Sequence, residues 1–304
     1  MSPGPAKPLS ATPGTLRAWV AGARLRTLPA ALGPVLAGGG LAWQSAGFSP
    51  GPFLAALAGA LLIQVGTNFS NDYSDFVRGA DTADRIGTPR VTQSGLLSPR
   101  AVRLGAGVSF ALAVAVGAYL VKVGGWPIVW IGVAGILAGI CYTGGPWPFG
   151  YHGLGDLFTF AFFGPIAVAG TCYVQMARWP SEAILAGAGA GALVTAILVV
   201  NNLRDRPTDA AAGKRTLAVR LGRTGTCVEY SLLLVAAIAI PPAGFLAGLW
   251  PVGTLLASGA VLLAAPALHA VWRHEDPRAL NPALAGTARA AGAYGLLFAV
   301  GCLW

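Results

Sequence analysis

Long apolar runs alternate with short polar segments along almost the whole chain. Nine runs approach the about 20 residues that a helix needs to cross the hydrocarbon core of a bilayer. They cover roughly residues 28–46, 53–70, 104–121, 126–143, 155–176, 184–203, 228–248, 250–272 and 284–304. The seventh and eighth runs are divided only by Leu249, Trp250 and Pro251. The pattern predicts an all-α integral membrane bundle of about nine transmembrane helices.

Composition points the same way. Only 10% of the 304 residues are charged and 55% are hydrophobic, whereas soluble domains average about 25% charged residues. The 43 glycines suit close helix approach in lipid or reflect a biased genome composition. The cysteines and histidines show no metal-ligand or redox spacing. We expect a single transmembrane domain over residues 16–304, preceded by a disordered tail at residues 1–15.

The basic residues predict the orientation of the bundle. If the N-terminus is cytoplasmic, nine passes place 18 of the 20 Lys and Arg residues on the cytoplasmic side, with Lys122 and Arg178 outside. This asymmetry follows the positive-inside rule. We therefore expect a cell membrane protein whose C-terminus lies outside. The net charge of +9 then reflects topology and an anionic substrate, and it indicates no nucleic-acid partner.

Two polar islands end the second and sixth apolar runs, at residues 71–81 and 201–209. Together with Asp84 they hold six of the 11 acidic residues. Carboxylates beside a membrane are costly and usually functional. Since both islands follow even-numbered runs, both are expected in cytoplasmic loops, where they can meet at one mouth of the bundle. Asp156, at the start of the fifth run, is expected on the same side.

The spacing within the islands favours a cation site. Asn201, Asp205 and Asp209 would share one face if the sixth helix continued, although Pro207 disfavours this. Asn71 and Asp75 have the same spacing. Carboxylate and amide oxygens suit Mg²⁺, which is commonly bound together with substrate phosphates. The cations available to a diphosphate are Arg78, Arg85, Arg206, Lys214 and Arg215. The alternative is two ordinary solvated loops with Asp–Arg pairs.

Two further segments are less specific. Residues 24–29 open the first run, and residues 142–148 close the fourth run with Tyr142 and Trp147. Aromatic residues at this depth usually form an interfacial belt. They can also line the pocket of an aromatic substrate or face a developing carbocation.

The islands and their neighbours resemble the UbiA-type intramembrane prenyltransferases. The similar segments run in family order over about residues 20–225. They are residues 71–87, 142–145, 150–156, 201–209, 213–217 and 220–222. Within the family, Gly79 before Asp81 and Asn201 in place of an Asp resemble the branch that prenylates 1,4-dihydroxy-2-naphthoate in menaquinone synthesis. Leu25 departs from this branch, which usually has Pro there.

The resemblance implies a nine-helix bundle in the lipid bilayer, Mg²⁺ and a polyprenyl diphosphate donor. It implies 1,4-dihydroxy-2-naphthoate as the acceptor, with loss of its carboxylate as carbon dioxide. The expected catalytic carboxylates are Asp72, Asp75, Asp81, Asp205 and Asp209. The expected ligands of one Mg²⁺ are Asn71, Asp72, Asp75 and Asp81, and those of a second are Asn201, Asp205 and Asp209.

The remaining expected roles concern the two substrates. Diphosphate contacts are expected from Arg85, Lys214 and Arg206. Acceptor contacts are expected from Arg26 and Tyr142. Either Asp72 or Asp81 would be the general base.

Two alternatives remain open on the sequence. The acceptor could be 4-hydroxybenzoate or another aromatic compound. The chain could also be a secondary transporter, because transporters place ionisable groups near the membrane midplane. The centres of the predicted spans hold almost no charge, which favours the enzyme.

Overall fold

The computed structural model describes residues 12–80, 86–87 and 90–304, which form helices and turns without a strand. This confirms the predicted all-α class. The α-helices are α1 (Leu16–Ala23), α2 (Pro29–Gln44), α3 (Pro50–Val77), α4 (Pro99–Gly124), α5 (Trp126–Cys141), α6 (Gly155–Ala161), α7 (Ala167–Met176), α8 (Ser181–Ala211), α9 (Leu217–Leu246), α10 (Leu256–Ala260), α11 (Ala265–Arg273) and α12 (Leu280–Gly301). Short 3-10 turns flank several of them, and α1 is a helix that the apolar pattern did not predict.

Helical structure coincides with each of the nine predicted apolar runs. Within the described residues, seven helical segments are long and apolar enough to cross a membrane: Pro50–Val77, Pro99–Gly124, Gly155–Met176, Ser181–Ala211, Leu217–Leu246, Val252–Arg273 and Pro277–Gly301. The other two, α2 and α5, have 16 residues each. The chain is therefore a multi-pass membrane protein, and nine is an approximate number of passes.

The second island is helical, as are residues 71–77 of the first, which corrects their prediction as loops. Helix α3 continues through the first island to Val77, and α8 continues through the second to Ala211. Pro207 lies inside α8 without ending it. Proline removes one backbone donor, and nearby hydroxyl groups can compensate in membrane helices. Next to the proline, Thr208 Oγ1 donates to the carbonyl of Asp205 at 2.8 Å.

Helix α8 is the buried centre of the bundle. Its side chains Ala186, Leu193, Ala196 and Val200 are at most 1% exposed, and they pack among α2, α9 and α12. Because α8 is enclosed on so many sides, its last turns reach the bundle end with a fixed orientation. The second island is therefore carried on a rigid element.

A bend divides the fifth apolar run into α6 and α7. Residues Phe162–Ile166 form a π turn with Pro165 inside it, a common cause of sharp helix kinks. The bend packs directly on α8, where a Cβ on Gly187 would lie 2.6 Å from the Cα of Pro165. Only glycine permits this approach, which packs the bend between α6 and α7 against the first turns of α8.

Candidate active site

Asp75 lies at the centre of the first island and is 2% exposed. Its Oδ1 accepts hydrogen bonds from Tyr151 Oη at 2.6 Å and from Lys214 Nζ at 3.1 Å. Its Oδ2 accepts from Arg90 Nη2 at 3.2 Å. Two cations and a phenol therefore converge on one buried carboxylate, which is a strongly polar arrangement inside an apolar bundle.

Asp72 makes different contacts from those of Asp75. It is 1% exposed, and its two oxygens accept from the backbone N–H groups of Val91 at 3.2 Å and Thr92 at 3.0 Å. Arg24 Nη2 lies 3.8 Å from Oδ2. These contacts hold the segment that follows the first island against α3. Asp72 therefore has a positioning role that its prediction as a metal ligand or base did not include.

Asn71 and Tyr142 link the first island to the end of α5. The side-chain carbonyl of Asn71 accepts from Thr143 Oγ1 at 2.9 Å. Tyr142 is the neighbour of Thr143, and its ring meets Phe149 edge-on at 5.6 Å. Burial, and then the charges of Asp156, Asp209 and Asp75, raise the pKa of Tyr142 well above its ordinary value. The phenol is therefore protonated at neutral pH.

Arg204 organises the second island. Its guanidinium is bidentate to Asp205, with Nε and Nη2 each 2.7 Å from a carboxylate oxygen. It also donates to Asn201 Oδ1 at 2.8 Å and to Asn281 Oδ1 at 3.0 Å. Arg204 is only 4% exposed. A planar guanidinium in this fork geometry fixes a carboxylate in direction as well as in charge.

Lys214 brings the two islands together. Its ammonium lies 3.1 Å from Asp75 Oδ1 and 3.9 Å from Asp209 Oδ1, and 4.5 Å from the centre of the Tyr151 ring. The backbone supports this position, because Lys214 N–H donates to the Asp209 carbonyl and Arg215 N–H to the Tyr151 carbonyl, each at 2.8 Å. The expectation that the islands meet at one end of the bundle is thus realised through one lysine.

Several predicted site residues do not join this group. Arg206 lines a separate cavity of about 240 Å³ with Arg223 and His274, because it follows Asp205 by one residue and faces another side of α8. Asp81 and Arg85 lie outside the described residues, as does the side chain of Arg26. Their predicted roles stay predictions.

An apolar cavity of about 580 Å³ begins beside the first island. Its polar end is lined by Gln64, Thr67 and Tyr142, and its far end by Ile128 and Val174. The distance from Ile128 to Tyr142 along α5 is about 20 Å at the helical rise per residue. The cavity is thus a long apolar space lined by α2 to α7. The charged side chains around Asp75 and Lys214 lie at one end of it.

Aromatic rings line the junction of this cavity with the charged group. Phe149 stacks on Phe158 with centroids 4.2 Å apart, and Phe158 continues the row to Phe162 at 6.2 Å. All three line the cavity together with Tyr142. The arrangement offers an apolar, π-rich wall directly beside the buried charged group.

The sequence matches the UbiA prenyltransferase family over residues 31–298. The chain belongs to this family. A 1,4-dihydroxy-2-naphthoate octaprenyltransferase of Mycobacterium tuberculosis is 44% identical over 81% of this chain and 84% of its own length. The Escherichia coli protein of the same name is 36% identical over 94% of each chain. A UbiA homolog from Archaeoglobus fulgidus bound to DMAPP and Mg²⁺ shares the fold, with a TM-score of 0.61 at 16% identity, covering 93% of this chain and 99% of that one.

Family membership confirms the resemblance that the islands indicated. Sequence reasoning nevertheless missed three residues that contact the carboxylates of the islands. Arg90 was counted only toward topology, Tyr151 only as part of a motif, and Arg204 only as a neighbour of Asp205. The signal for Arg204 was present, since an arginine adjacent to a carboxylate near a membrane needs a partner.

Proposed function

We propose that this protein transfers a polyprenyl group from polyprenyl diphosphate to 1,4-dihydroxy-2-naphthoate in menaquinone biosynthesis. The observation that carries the proposal is the meeting of Asp75 and Asp209 at Lys214, directly beside the aromatic end of the apolar cavity. A diphosphate head and a prenyl tail require this combination. The names and high coverage of the relatives support the naphthoate as acceptor.

We propose Mg²⁺ as the cofactor, because the donors of the islands fit a hard cation. The side chains that converge offer carboxylate and amide oxygens, which Mg²⁺ prefers. A positive charge also fits between the islands, since the ammonium of Lys214 occupies that position. Within the described residues, no group of three or more His, Cys, Asp or Glu side chains is arranged as a metal site, so substrate oxygens would complete the coordination of the metal. The UbiA homolog from Archaeoglobus fulgidus with the same fold was solved bound to DMAPP and Mg²⁺, which supports the choice of metal.

Each island would supply its own ligands. Asn71 and Asp75 would hold Mg²⁺ at the first, together with Asp81 as the sequence predicts. The ligands at the second would be Asn201, Asp205 and Asp209. When bound, Mg²⁺ would neutralise the negative charge that develops on the departing diphosphate. We assign Asp72 to positioning the segment at Val91 and Thr92.

The cations that now contact Asp75 have a second role in this proposal. Lys214 and Arg90 carry positive charge at the mouth of the cavity and are each 8% exposed. Preorganised cations in a water-poor site stabilise developing anionic charge more strongly than they would in water. We propose that both bind the diphosphate, with Arg85 as a further predicted contact. Arg206, which lines another cavity, is not assigned to it.

The donor tail and the acceptor ring would occupy different parts of the cavity. The tail would extend between α3, α4 and α5, where the walls are apolar. The acceptor ring would lie at the row formed by Phe149, Phe158 and Phe162, within reach of the donor's C1. Attack by the ring forms the new carbon–carbon bond, the diphosphate leaves, and the ring carboxylate is released as carbon dioxide.

The proposed orientation follows from the basic residues. The islands, their cations and the N-terminus would face the cytoplasm, and the C-terminus would lie outside the cell membrane. Water-soluble prenyl donor heads and naphthoate would then reach the site from the cytoplasm. A reporter that is active only in the cytoplasm can be fused to the C-terminus. We expect this fusion to give no signal.

Product analysis tests the function directly. Purified protein would be given 1,4-dihydroxy-2-naphthoate or 4-hydroxybenzoate, each with a set of prenyl diphosphates and Mg²⁺. We expect mass spectrometry to find a prenylated, decarboxylated naphthoquinol, and excess EDTA to stop its formation until Mg²⁺ is restored. Conversion of 4-hydroxybenzoate without conversion of the naphthoate would refute the proposed acceptor.

Filling the cavity should restrict the donor. Gly135 lines the cavity on α5, and a Cβ there would meet only Ile63, at an ordinary 3.8 Å. We expect Gly135→Leu to lower kcat/KM for long prenyl diphosphates by about 10-fold, by analogy with the cost of overpacking, and to leave geranyl diphosphate little affected. Ala134→Leu, at the exposed neighbouring position of the same helix, is the control. Equal effects of both variants on all donors would contradict the proposed path of the tail.

A further inference from the structure

The carboxylate of Asp156 takes no part in the contacts described so far. It lies in the first turn of α6 and is 6% exposed. Neither of its oxygens has a hydrogen-bond partner in another of the described residues. Buried polar groups are almost always hydrogen-bonded, so an exception calls for an explanation. An explanation common in enzymes is that the group awaits a substrate.

The surroundings of Asp156 are those of the reaction. The preceding residue packs on the phenol of Tyr142, because a Cβ on Gly155 would lie 3.2 Å from the Tyr142 hydroxyl oxygen. The charge of Asp156 acts on this phenol, as do those of Asp209 and Asp75. Two residues further along α6, Phe158 belongs to the aromatic row of the cavity. Asp156 thus lies beside the same tyrosine that both islands influence.

The other carboxylates of the site are already engaged. Asp72 accepts two backbone N–H groups, Asp75 accepts from Lys214, Arg90 and Tyr151, and Asp205 is held in the fork of Arg204. A carboxylate that holds cations or metal is a poor proton acceptor, because the neighbouring positive charge favours its ionised form. Asp156 has no cation within ion-pair distance among the described residues.

We propose that Asp156 binds the acceptor by accepting a hydrogen bond from a ring hydroxyl and takes that proton as the ring attacks; this rests on the proposed function. The substrate class that it recognises is a hydroxyarene. Tyr142, with its protonated phenol beside Asp156, offers a donor to the other polar groups of the ring. The row of Phe149, Phe158 and Phe162 supports the ring face.

The proton and electron pairs balance over the reaction. The hydroxyl proton moves to Asp156 Oδ, and the electron pair of the O–H bond forms a ring carbonyl. The π pair of the adjacent ring double bond then forms the bond between the ring carbon that bears the carboxylate and C1 of the prenyl group. The bond from C1 to the diphosphate oxygen breaks, and its electron pair leaves with the diphosphate. Loss of carbon dioxide returns the pair of the carbon–carboxylate bond to the ring, and Asp156 gives its proton back to the ring oxygen.

A purely structural role makes a different prediction for the variants. If Asp156 stabilised the bundle, its replacement would lower the melting temperature. A buried carboxylate that is kept for function destabilises the fold, so that its replacement by a neutral isostere leaves stability unchanged or raises it. The melting temperature of Asp156→Asn in detergent therefore separates the two roles.

The first measurement uses the kinetic parameters of each substrate. We expect Asp156→Asn to lower kcat/KM for the naphthoate by about 100-fold, the usual range for loss of a general base, with KM for prenyl diphosphate within about twofold of wild type. Asp156→Glu, which retains the carboxylate, should recover part of the activity. The control is Glu182→Gln, which removes a half-buried carboxylate from the first turn of α8, at the other end of that helix from the second island. Near wild-type kinetics for Asp156→Asn would overturn the proposal.

The second measurement requires no turnover. Binding of 1-hydroxy-2-naphthoate and 4-hydroxy-2-naphthoate, each lacking one hydroxyl, would be compared with that of the full acceptor. Wild type should bind one analogue at least about 10-fold more weakly, as expected for a lost hydrogen bond to a charged group, and Asp156→Asn should lose this preference. An unchanged preference would overturn the role of Asp156. If wild type binds selectively but forms no prenylated product, the proposed function fails while the hydroxyl contact stands.

Discussion

Asp75→Asn is expected to reduce prenyl transfer by about 1,000-fold, at the upper end of the effect of removing one preorganised electrostatic group. The Asn keeps the shape of the side chain and can still meet Tyr151, but it loses the charge that holds Lys214 and Arg90. It also loses the anionic oxygen proposed to bind Mg²⁺. Turnover of the naphthoate by membranes matched for protein content provides the measurement.

The control for Asp75 is an exposed carboxylate. Glu275→Gln removes the same charge from an exposed turn that lines the cavity of Arg206. We expect this variant to retain wild-type activity. If Asp75→Asn also retains full activity when Mg²⁺ is limiting, the first island does not bind the metal.

Arg204→Met is expected to impair both folding and activity. It would leave Asp205, which is 5% exposed, buried without its bidentate partner and would remove a donor from Asn201 and Asn281. Breaking a buried ion pair from one side typically costs about 3–5 kcal/mol. We expect a lower melting temperature in detergent and a loss of activity of about two to three orders of magnitude, because the ligands of the second island lose their orientation.

Two further variants separate charge from geometry at Arg204. Arg204→Lys keeps the charge but cannot form the fork, so we expect it to restore stability more than activity. The double variant Arg204→Met/Asp205→Asn should recover stability, because no charge is left unpaired, and should remain inactive. Arg273→Met, at an exposed position, is the control. An active Arg204→Met protein with an unchanged melting temperature would contradict the role of Arg204.

The spans could be predicted from the sequence because each depends on a local property. A run of about 20 apolar residues has to be buried in lipid wherever it lies in the fold. The ends of α3 and α8 could not be predicted in this way, since polar residues and Pro207 mark a helix end in water. In the structure, the islands instead continue as helix because the charges of Asp75 and Asp205 are met by Lys214 and Arg204.

For the site, the sequence could predict which residue types take part but not how each side chain is oriented. The i, i+4 spacing indicated which oxygens could share a face, and the positive-inside pattern brought the islands to one side. The position of Arg206 and the backbone contacts of Asp72 depend on the rotation of each helix, which packing decides. The partners of Arg90 and Tyr151 lie 15 and 76 positions away in the chain, beyond the reach of local spacing.

The ammonium of Lys214 has a consequence for the biogenesis of the protein. Since it lies between Asp75 and Asp209, the negative charges of the two helices do not repel each other while the chain assembles in the membrane. We therefore expect the fold to form without metal or donor. If the site binds Mg²⁺ as proposed, loading it would be an ion exchange, in which the Lys214 ammonium would give up its place to the metal and contact the incoming diphosphate.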